Sequence, residues 1–518
     1  MQPSRGHILW VDDEIDHLKP HILFLEEKGY TLTSVTNGPD ALKAIQEHPF
    51  QLVLLDQFMP GMDGMETLRR LKAIKPSLPV IMITKSEEEW LMNEAISEQV
   101  AHFLIKPVNP TQIFMACKQI LEKTRIREEH ATSGYLKDFQ EIEQRLSSPL
   151  EIDDWWQIYN RLVTWQLSFD EHKDLGLGNI LAEQIQSSNR EFVRFVEDNY
   201  LQWLKGDKGP VLSPHVLSHF LFPRLKQGQK ICFILVDGLR HDQFMALAPE
   251  LRAQFDLEVD YQVSILPSAT PFSRNAIFSG LFPVEFCRRY PQQISDMRDR
   301  QSGFNRYEEQ MLNDHLQRKG LSDLRCHYHK IYSADDGQRF QGHIGEYLHL
   351  DFLAVVVNFV DLLAHKRSEL DILKEMLPDE SGYRFAVRTW FENSWLYRLL
   401  RDVRDSGFTI VLTSDHGSIR VHRGVLVGAD RETSTGIRYK YGRNLNCREK
   451  NALLIRRPQK YMLPEIVHQT NYIVAKDEVF FLYPNQQHRY ESVLNGSFQH
   501  GGISLEEMLV PVAILSGQ

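Results

Sequence analysis

Apolar positions along this chain recur in two alternating periods, and where the alternation stops and resumes it marks off three regions. Near the start, HILWVDD, TLTSVTN, QLVLLDQ, LPVIMITK and AHFLIKP are short apolar runs that close on polar or turn residues, the pattern of strands. Between them, segments such as HLKPHILFLEEKG and PDALKAIQEHP carry apolar residues at helical spacing. Strands interleaved with helices predict an α/β fold, a doubly wound parallel (βα)5 domain over residues 1–123.

From 124 to 220 the strand-like runs stop. DDWWQIYNRLVTWQLSF and EFVRFVEDNYLQWLKG are amphipathic at the helical period, which predicts a helical-bundle connector, interrupted at KGDKGP. Over 221–518 the α/β pattern returns. KICFILVDG, FLAVVVNFVD and FTIVLTSDHG are nearly continuous apolar runs ending in acids, as expected of parallel strands buried on both faces.

Composition narrows the setting. At 518 residues the chain exceeds one ordinary core,. No run approaches the roughly twenty apolar residues of a membrane span, and no apolar stretch precedes the first acids as in a secretory signal. A cytoplasmic protein without a membrane partner is therefore expected. The five cysteines are scattered without a CxxC pair, which suits a reducing compartment and argues against a cysteine zinc knuckle. A net charge of −10, with no helix-turn-helix pattern and no strongly basic segment, argues against direct binding to duplex DNA.

Chemistry gathers at the predicted strand ends. Asp12 and Asp13 follow HILWV, and Asp56 follows QLVLL. In a parallel sheet these are carboxyl ends of strands, where ligands bind. Carboxylates converging there repel one another unless a hard cation sits among them, and Mg²⁺ favours such an oxygen shell. Thr84 and Lys106, ending the fourth and fifth strands, add a hydroxyl and a cation at the same rim. A nucleophilic carboxylate, a metal and a lysine are the parts needed to accept a phosphoryl group.

With VDDE, LLDQFMPGMDG, MITK and FLIKP in that order, residues 5–123 resemble the CheY-like receiver domain of response regulators. The resemblance implies Asp56 as phospho-acceptor, Asp12 and Asp13 as further Mg²⁺ ligands, and Thr84, Phe103 and Lys106 as the switch residues. It also implies a cis Lys106–Pro107 bond. Lys85 departs from the family, which usually carries a small residue after the switch threonine.

In the last region Asp237 ends KICFILV, and Asp361 ends FLAVVVNFV with His365 four residues on. Asp415 and His416 end FTIVLTS, His500 lies in QHGG, and Thr270 in PSATPFSR. Three aspartates and three histidines form a mixed oxygen and nitrogen set that suits Zn²⁺, with Mn²⁺ second. A threonine beside two such ions can lose its proton near neutral pH, and the ions can clamp the entering and leaving oxygens of a phosphoryl centre.

Order and spacing resemble the alkaline phosphatase superfamily, in particular its nucleotide pyrophosphatase/phosphodiesterase branch and the PglZ domain. The resemblance implies one zinc held by Asp361, His365 and His500. A second would be held by Asp237, Asp415, His416 and the nucleophile Thr270. Arg274 and Asn275 follow Thr270 closely enough to touch a phosphoryl oxygen. GIRYKYGRN offers Arg438, Lys440 and Arg443 for phosphate and Tyr439 and Tyr441 for base stacking, unless this run is simply a solvated basic loop.

A receiver, a helical connector and a PglZ-type domain together resemble the PorX class of response regulators. That resemblance implies a zinc-dependent phosphodiesterase acting on cyclic or linear oligonucleotides or nucleotides, linked to type IX secretion. The implied partners are a sensor histidine kinase and a sigma factor, with homodimerisation on phosphorylation. The alternative is a signalling scaffold whose metal site is structural and whose output is binding to a sigma factor. The presence of Thr270 argues against it, because a structural site needs no nucleophile.

Overall fold

In the computed structural model the described residues are 5–85, 100–171, 176–206, 209–299, 305–369, 371–428, 434, 436–483 and 487–517. The chain divides into two compact units, Met1–Lys137 and Asp138–Gln518.

The first unit is built on five parallel strands: β1 (His7–Val11), β2 (Thr31–Val35), β3 (Leu52–Asp56), β4 (Val80–Thr84) and β5 (His102–Ile105). Their order in the sheet is β2-β1-β3-β4-β5. Successive side chains of a strand point to opposite faces, and the core divides accordingly. Leu9, Val11, Val53, Leu55, Val80 and Met82 pack on one face with Ala41 and Ile45 of α2 (Gly38–Glu47) and Leu68 and Leu71 of α3 (Gly64–Ile74). Ile8, Trp10, Leu52, Leu54, Ile81 and Ile83 pack on the other with Leu25 of α1 (Lys19–Glu27) and Ile113 and Cys117 of α4 (Pro110–Leu146). Burial on both faces is why these strands read as continuous apolar runs.

In the second unit α5 (Ile152–Glu171) and α6 (Gly178–Trp203) bury the aromatic stripes seen in the sequence, with Trp155 5.3 Å from Phe192 between ring centroids. A six-stranded sheet follows. Its strands are β6 (Lys230–Val236), β7 (Phe255–Val263), β8 (Cys326–Ile331), β9 (Phe352–Val357), β10 (Phe408–Thr413) and, at the chain's end, β18 (Leu509–Gly517). The order is β7-β18-β10-β6-β9-β8. Strands β10, β6, β9 and β8 pair in parallel, and β18 runs antiparallel to both its neighbours.

Small sheets lie in the segment between β10 and β18. They pair β11 (Ile419–Arg420) with β17 (Phe498–Gln499), β12 (Arg423–Leu426) with β16 (Val479–Leu482), and β13 (Tyr439–Gly442) with β15 (Asn471–Ala475) and β14 (Ala452–Ile455). No helix among the described residues is long and apolar enough to cross a membrane.

Candidate functional site

Both units place their chemistry at the carboxyl ends of parallel strands. In the first, Asp12 and Asp13 follow β1 and Asp56 closes the adjacent β3. One ligand oxygen from each lies within 4.8 Å of the others. Asp12 and Asp56 are buried and Asp13 is exposed. Lys106, which directly follows β5 and precedes Pro107 through a cis bond, sets its Nζ 3.0 Å from Asp12 Oδ2 and 2.8 Å from Asp56 Oδ1. Burial, opposed by the Lys106 bond and reinforced by Asp12, raises the Asp56 carboxyl above its ordinary range. A site that penalises its own carboxylate in this way is one that an added cation would relieve.

Thr84 closes β4 and is fully buried. Phe103 is half-buried against the β1–β3–β4 core. Lys85 lies at the rim, where its Nζ pairs with Glu14 Oε2 at 3.3 Å.

In the second unit three neighbouring strands deliver the candidate metal ligands. Asp237 follows β6, Asp415 and His416 follow β10, and Asp361 lies in the helix Phe359–Glu369 that follows β9. Gly238 lets the chain turn directly after Asp237. Its φ is +72°, and a Cβ there would stand 3.2 Å from Asp361 Cβ, so glycine meets both demands.

Asp237, Asp415 and His416 each offer a ligand atom within 4.8 Å of the others. Thr270, first residue of the helix Thr270–Ser279, places Oγ1 3.3 Å from Asp237 Oδ1 and 2.9 Å from His416 Nε2. His500 Nε2 lies 3.6 Å from Asp361 Oδ1, and the His500 ring stacks on His416. His365 belongs to the same helix as Asp361, but its side chain lies outside the described residues.

The donor atoms suit a cation. His416 Nδ1 sits 2.9 Å from the Gly417 carbonyl. With the Nδ1 proton donated there, Nε2 is left as a lone-pair donor facing the two aspartates. Among the described residues Asp415 Oδ2 is buried without a hydrogen-bond partner, which is costly unless something else compensates it. Burial pushes the Asp237 carboxyl up to about 7; Arg274 opposes this while Asp415 and Asp361 add to it. His416 is raised: burial disfavours its cation, but the charges of Asp415, Asp237 and Asp361 outweigh it.

The anticipated substrate contacts divide. Arg274 is buried beside the site, its Nη1 3.0 Å from both Asp237 Oδ2 and Asn358 Oδ1 and its Nε 2.8 Å from Glu308 Oε1. The guanidinium thus offsets carboxylate charge. Asn275 is buried and donates to the Pro271 carbonyl at 2.9 Å and to Asn305 Oδ1 at 3.3 Å.

Arg438 and Lys440 depart from the expectation of phosphate contacts. Their backbone belongs to a buried stretch around β13 and is no solvated loop. Arg438 is 0% exposed and makes two ion-paired hydrogen bonds to Glu507, at 2.8 and 2.7 Å. Lys440 is 3% exposed, donates to the Gly436 carbonyl at 2.8 Å and lies over the Tyr483 ring. Tyr441 is likewise buried, its hydroxyl donating to the Met297 carbonyl at 3.0 Å. Arg443 is exposed and donates to the His468 carbonyl at 3.1 Å. Glu308, Asn358 and Asn305, which do surround Thr270 and Arg274, carry no sequence pattern that marks them.

Residues 216–515 match the BREX system PglZ alkaline phosphatase-like domain, 8–118 the response regulator receiver domain, and 125–204 the PorX response regulator linker domain. The chain belongs to the PglZ family and is a PorX-type response regulator.

Its receiver is similar to the transcriptional regulatory protein ZraR of Klebsiella oxytoca, 35% identical over 132 residues, covering 26% of this chain and 30% of ZraR. It is also similar to ResD of Bacillus subtilis, 30% identical over 122 residues, or 24% and 50% of the two chains. The PorX-type chain therefore spans at most half the length of these curated relatives. Among solved structures, the CheY-like receiver domain protein from Methanospirillum hungatei JF-1 is 25% identical, covering 24% of this chain and 99% of its own, with a TM-score of 0.23. The NtrX receiver domain from Brucella abortus is 30% identical, covering 22% and 98%, with a TM-score of 0.21.

Proposed function

We propose that this PorX-type regulator is a zinc-dependent phosphodiesterase governed by phosphorylation of Asp56. One observation carries the reading: Thr270 Oγ1 lies 3.3 Å from Asp237 Oδ1 and 2.9 Å from His416 Nε2. A hydroxyl set among candidate metal ligands at the carboxyl end of a parallel sheet supports the role of nucleophile.

Asp237, Asp415 and His416 would hold one zinc next to Thr270, and Asp361, His365 and His500 the other. When bound, zinc would favour the ionised Thr270 hydroxyl and draw off charge from the phosphoryl oxygens. Thr270 Oγ1 bonds to phosphorus as the bond to the leaving alcohol breaks, and that alcohol takes up a proton. Water then adds to phosphorus, the Thr270 oxygen leaves, and its hydroxyl proton is restored. Arg274 favours the charged form of Asp237 and orients it.

In the receiver, Asp12, Asp13 and Asp56 would share Mg²⁺ while Lys106 meets the added phosphoryl charge. Thr84 and Phe103 would shift with it. The PorX-type architecture supports a sensor histidine kinase as donor, a sigma factor as partner and homodimerisation on phosphorylation. It likewise supports nucleotides or oligonucleotides, cyclic or linear, as substrates and a link to type IX secretion.

Hydrolysis of bis-(p-nitrophenyl) phosphate by the zinc-loaded chain tests the reading. Turnover that is lost in Thr270→Ala while bound metal is retained is the expected result. Metal binding without cleavage of any diester or monoester, with or without receiver phosphorylation, would leave a scaffold that acts through protein contacts.

A further inference from the structure

A buried asparagine in the linker is joined through one short turn to the backbone beside His416 and His500. Asn189 lies on α6 and is 2% exposed. Its Oδ1 accepts the Leu505 N–H at 2.8 Å, and its Nδ2 donates to the Glu506 carboxylate at 3.0 and 3.2 Å. It therefore grips both the backbone and a side chain of the short turn Ser504–Met508, itself capped by the Ser504 hydroxyl.

That turn lies directly behind the site. The Glu507 carbonyl accepts the Gly417 N–H at 3.1 Å, and the Gly417 carbonyl is the partner of His416 Nδ1 at 2.9 Å. A methyl group at Gly417 would collide with the Glu506 carbonyl oxygen, so the two backbones are in contact with no space to yield. On its other side the Glu507 carboxylate accepts the Gly502 N–H at 2.7 Å, two residues after His500. It is held in turn by both Arg438 bonds.

We infer that Asn189 is a positioning residue for His416 and His500, so that the linker sets the geometry of the PglZ metal site; this rests on the zinc reading above. From Asn189 to His416 the links are buried hydrogen bonds and a backbone contact; to His500 the last step is the chain from Gly502. Close-packed interiors transmit such displacements because they have no slack to absorb them. Orienting groups behind metal-ligating histidines typically govern affinity about 10- to 100-fold. Arg438 and Glu507, both fully buried, take part as the brace of the His500 loop.

The test uses the full chain. Zinc affinity is measured by competition with a chromogenic chelator, and ligand geometry by the visible spectrum of the Co²⁺-loaded protein. Asn189→Ala is expected to weaken zinc about tenfold or more and to alter the Co²⁺ bands. Measured at about pH 8, above the raised range of the Glu506 carboxyl,, Asn189→Asp keeps the side-chain volume and the Leu505 bond but sets two carboxylates against each other, so it should weaken zinc even if the alanine variant fails to fold. Adding Glu506→Gln to Asn189→Asp restores a donor facing an acceptor and should return both readouts towards wild type. Zinc binding and a Co²⁺ spectrum that stay as in wild type in Asn189→Asp would overturn the inference while leaving the zinc reading intact. A wild-type chain that binds neither metal would sink both.

Discussion

His416 and His500 lie ring on ring, 4.2 Å between centroids and 21° from parallel. The Nε2 of His416 faces Asp237 and Asp415, and that of His500 faces Asp361. Two imidazolium rings would repel at that separation, whereas two neutral rings acting as ligands to adjacent cations would not. His416→Ala and His500→Ala are therefore each expected to lower bound zinc by about one ion per chain, read by elemental analysis of the purified variants.

Arg274 is surrounded by Asp237, Glu308 and, at 3.8 Å, Asp415. Removing one member of a buried charge cluster typically costs about 3–5 kcal/mol. Arg274→Met should show a loss of that size in urea unfolding with chelator present. With zinc added the loss should shrink, because a second cation then compensates the same carboxylates. A loss that zinc does not change would mean that the metal and Arg274 do not share those carboxylates.

Burial pushes the Glu506 carboxyl from its ordinary 4.5 up to about 7; Arg240 pulls it down, Glu380 adds to the rise, and the Asn189 bond opposes it. The folded chain then holds a proton that the unfolded chain has already released. Stability from this group is complete below about 4.5 and is lost as pH rises through about 7. In chelator, unfolding free energy measured from pH 5 to 8 should fall more steeply for wild type than for Glu506→Gln. Parallel curves would show that Glu506 does not change its proton on folding.

Lys85 and Glu14 pair across the receiver's rim with both side chains more than half exposed. An exposed pair contributes little to stability, but Lys85 directly follows Thr84 at the strand-end rim that carries Asp56. Lys85→Ala should leave the melting temperature unchanged and shorten the lifetime of the phosphorylated receiver, followed on a phosphate-affinity gel after loading with acetyl phosphate. An unchanged lifetime would show that the pair does not limit access.

Much of this architecture is legible in sequence because strands buried on both faces are long apolar runs, and function sits where they stop. Asp12, Asp56, Asp237 and Asp415 are conspicuous as acids at such ends. Asn189 and Glu506 are not, since their pairing spans 317 residues and neither breaks a local pattern. Arg438 misleads for a related reason. A cation-rich run reads as a surface for phosphate, and only the tertiary partner, Glu507, shows that the charge is buried and already matched. Glu308 reaches Arg274 from the helix Glu308–Arg318, where one more acid among many draws no notice.

If Thr270 is the nucleophile, the stereochemical course at phosphorus reveals it. A chiral phosphorothioate diester is hydrolysed by the zinc-loaded chain in ¹⁸O-labelled water, and the product's configuration is read by ³¹P NMR. Two successive in-line displacements, first by Thr270 and then by water, predict retention. Inversion would mean that water attacks the substrate directly, contradicting the role assigned to Thr270.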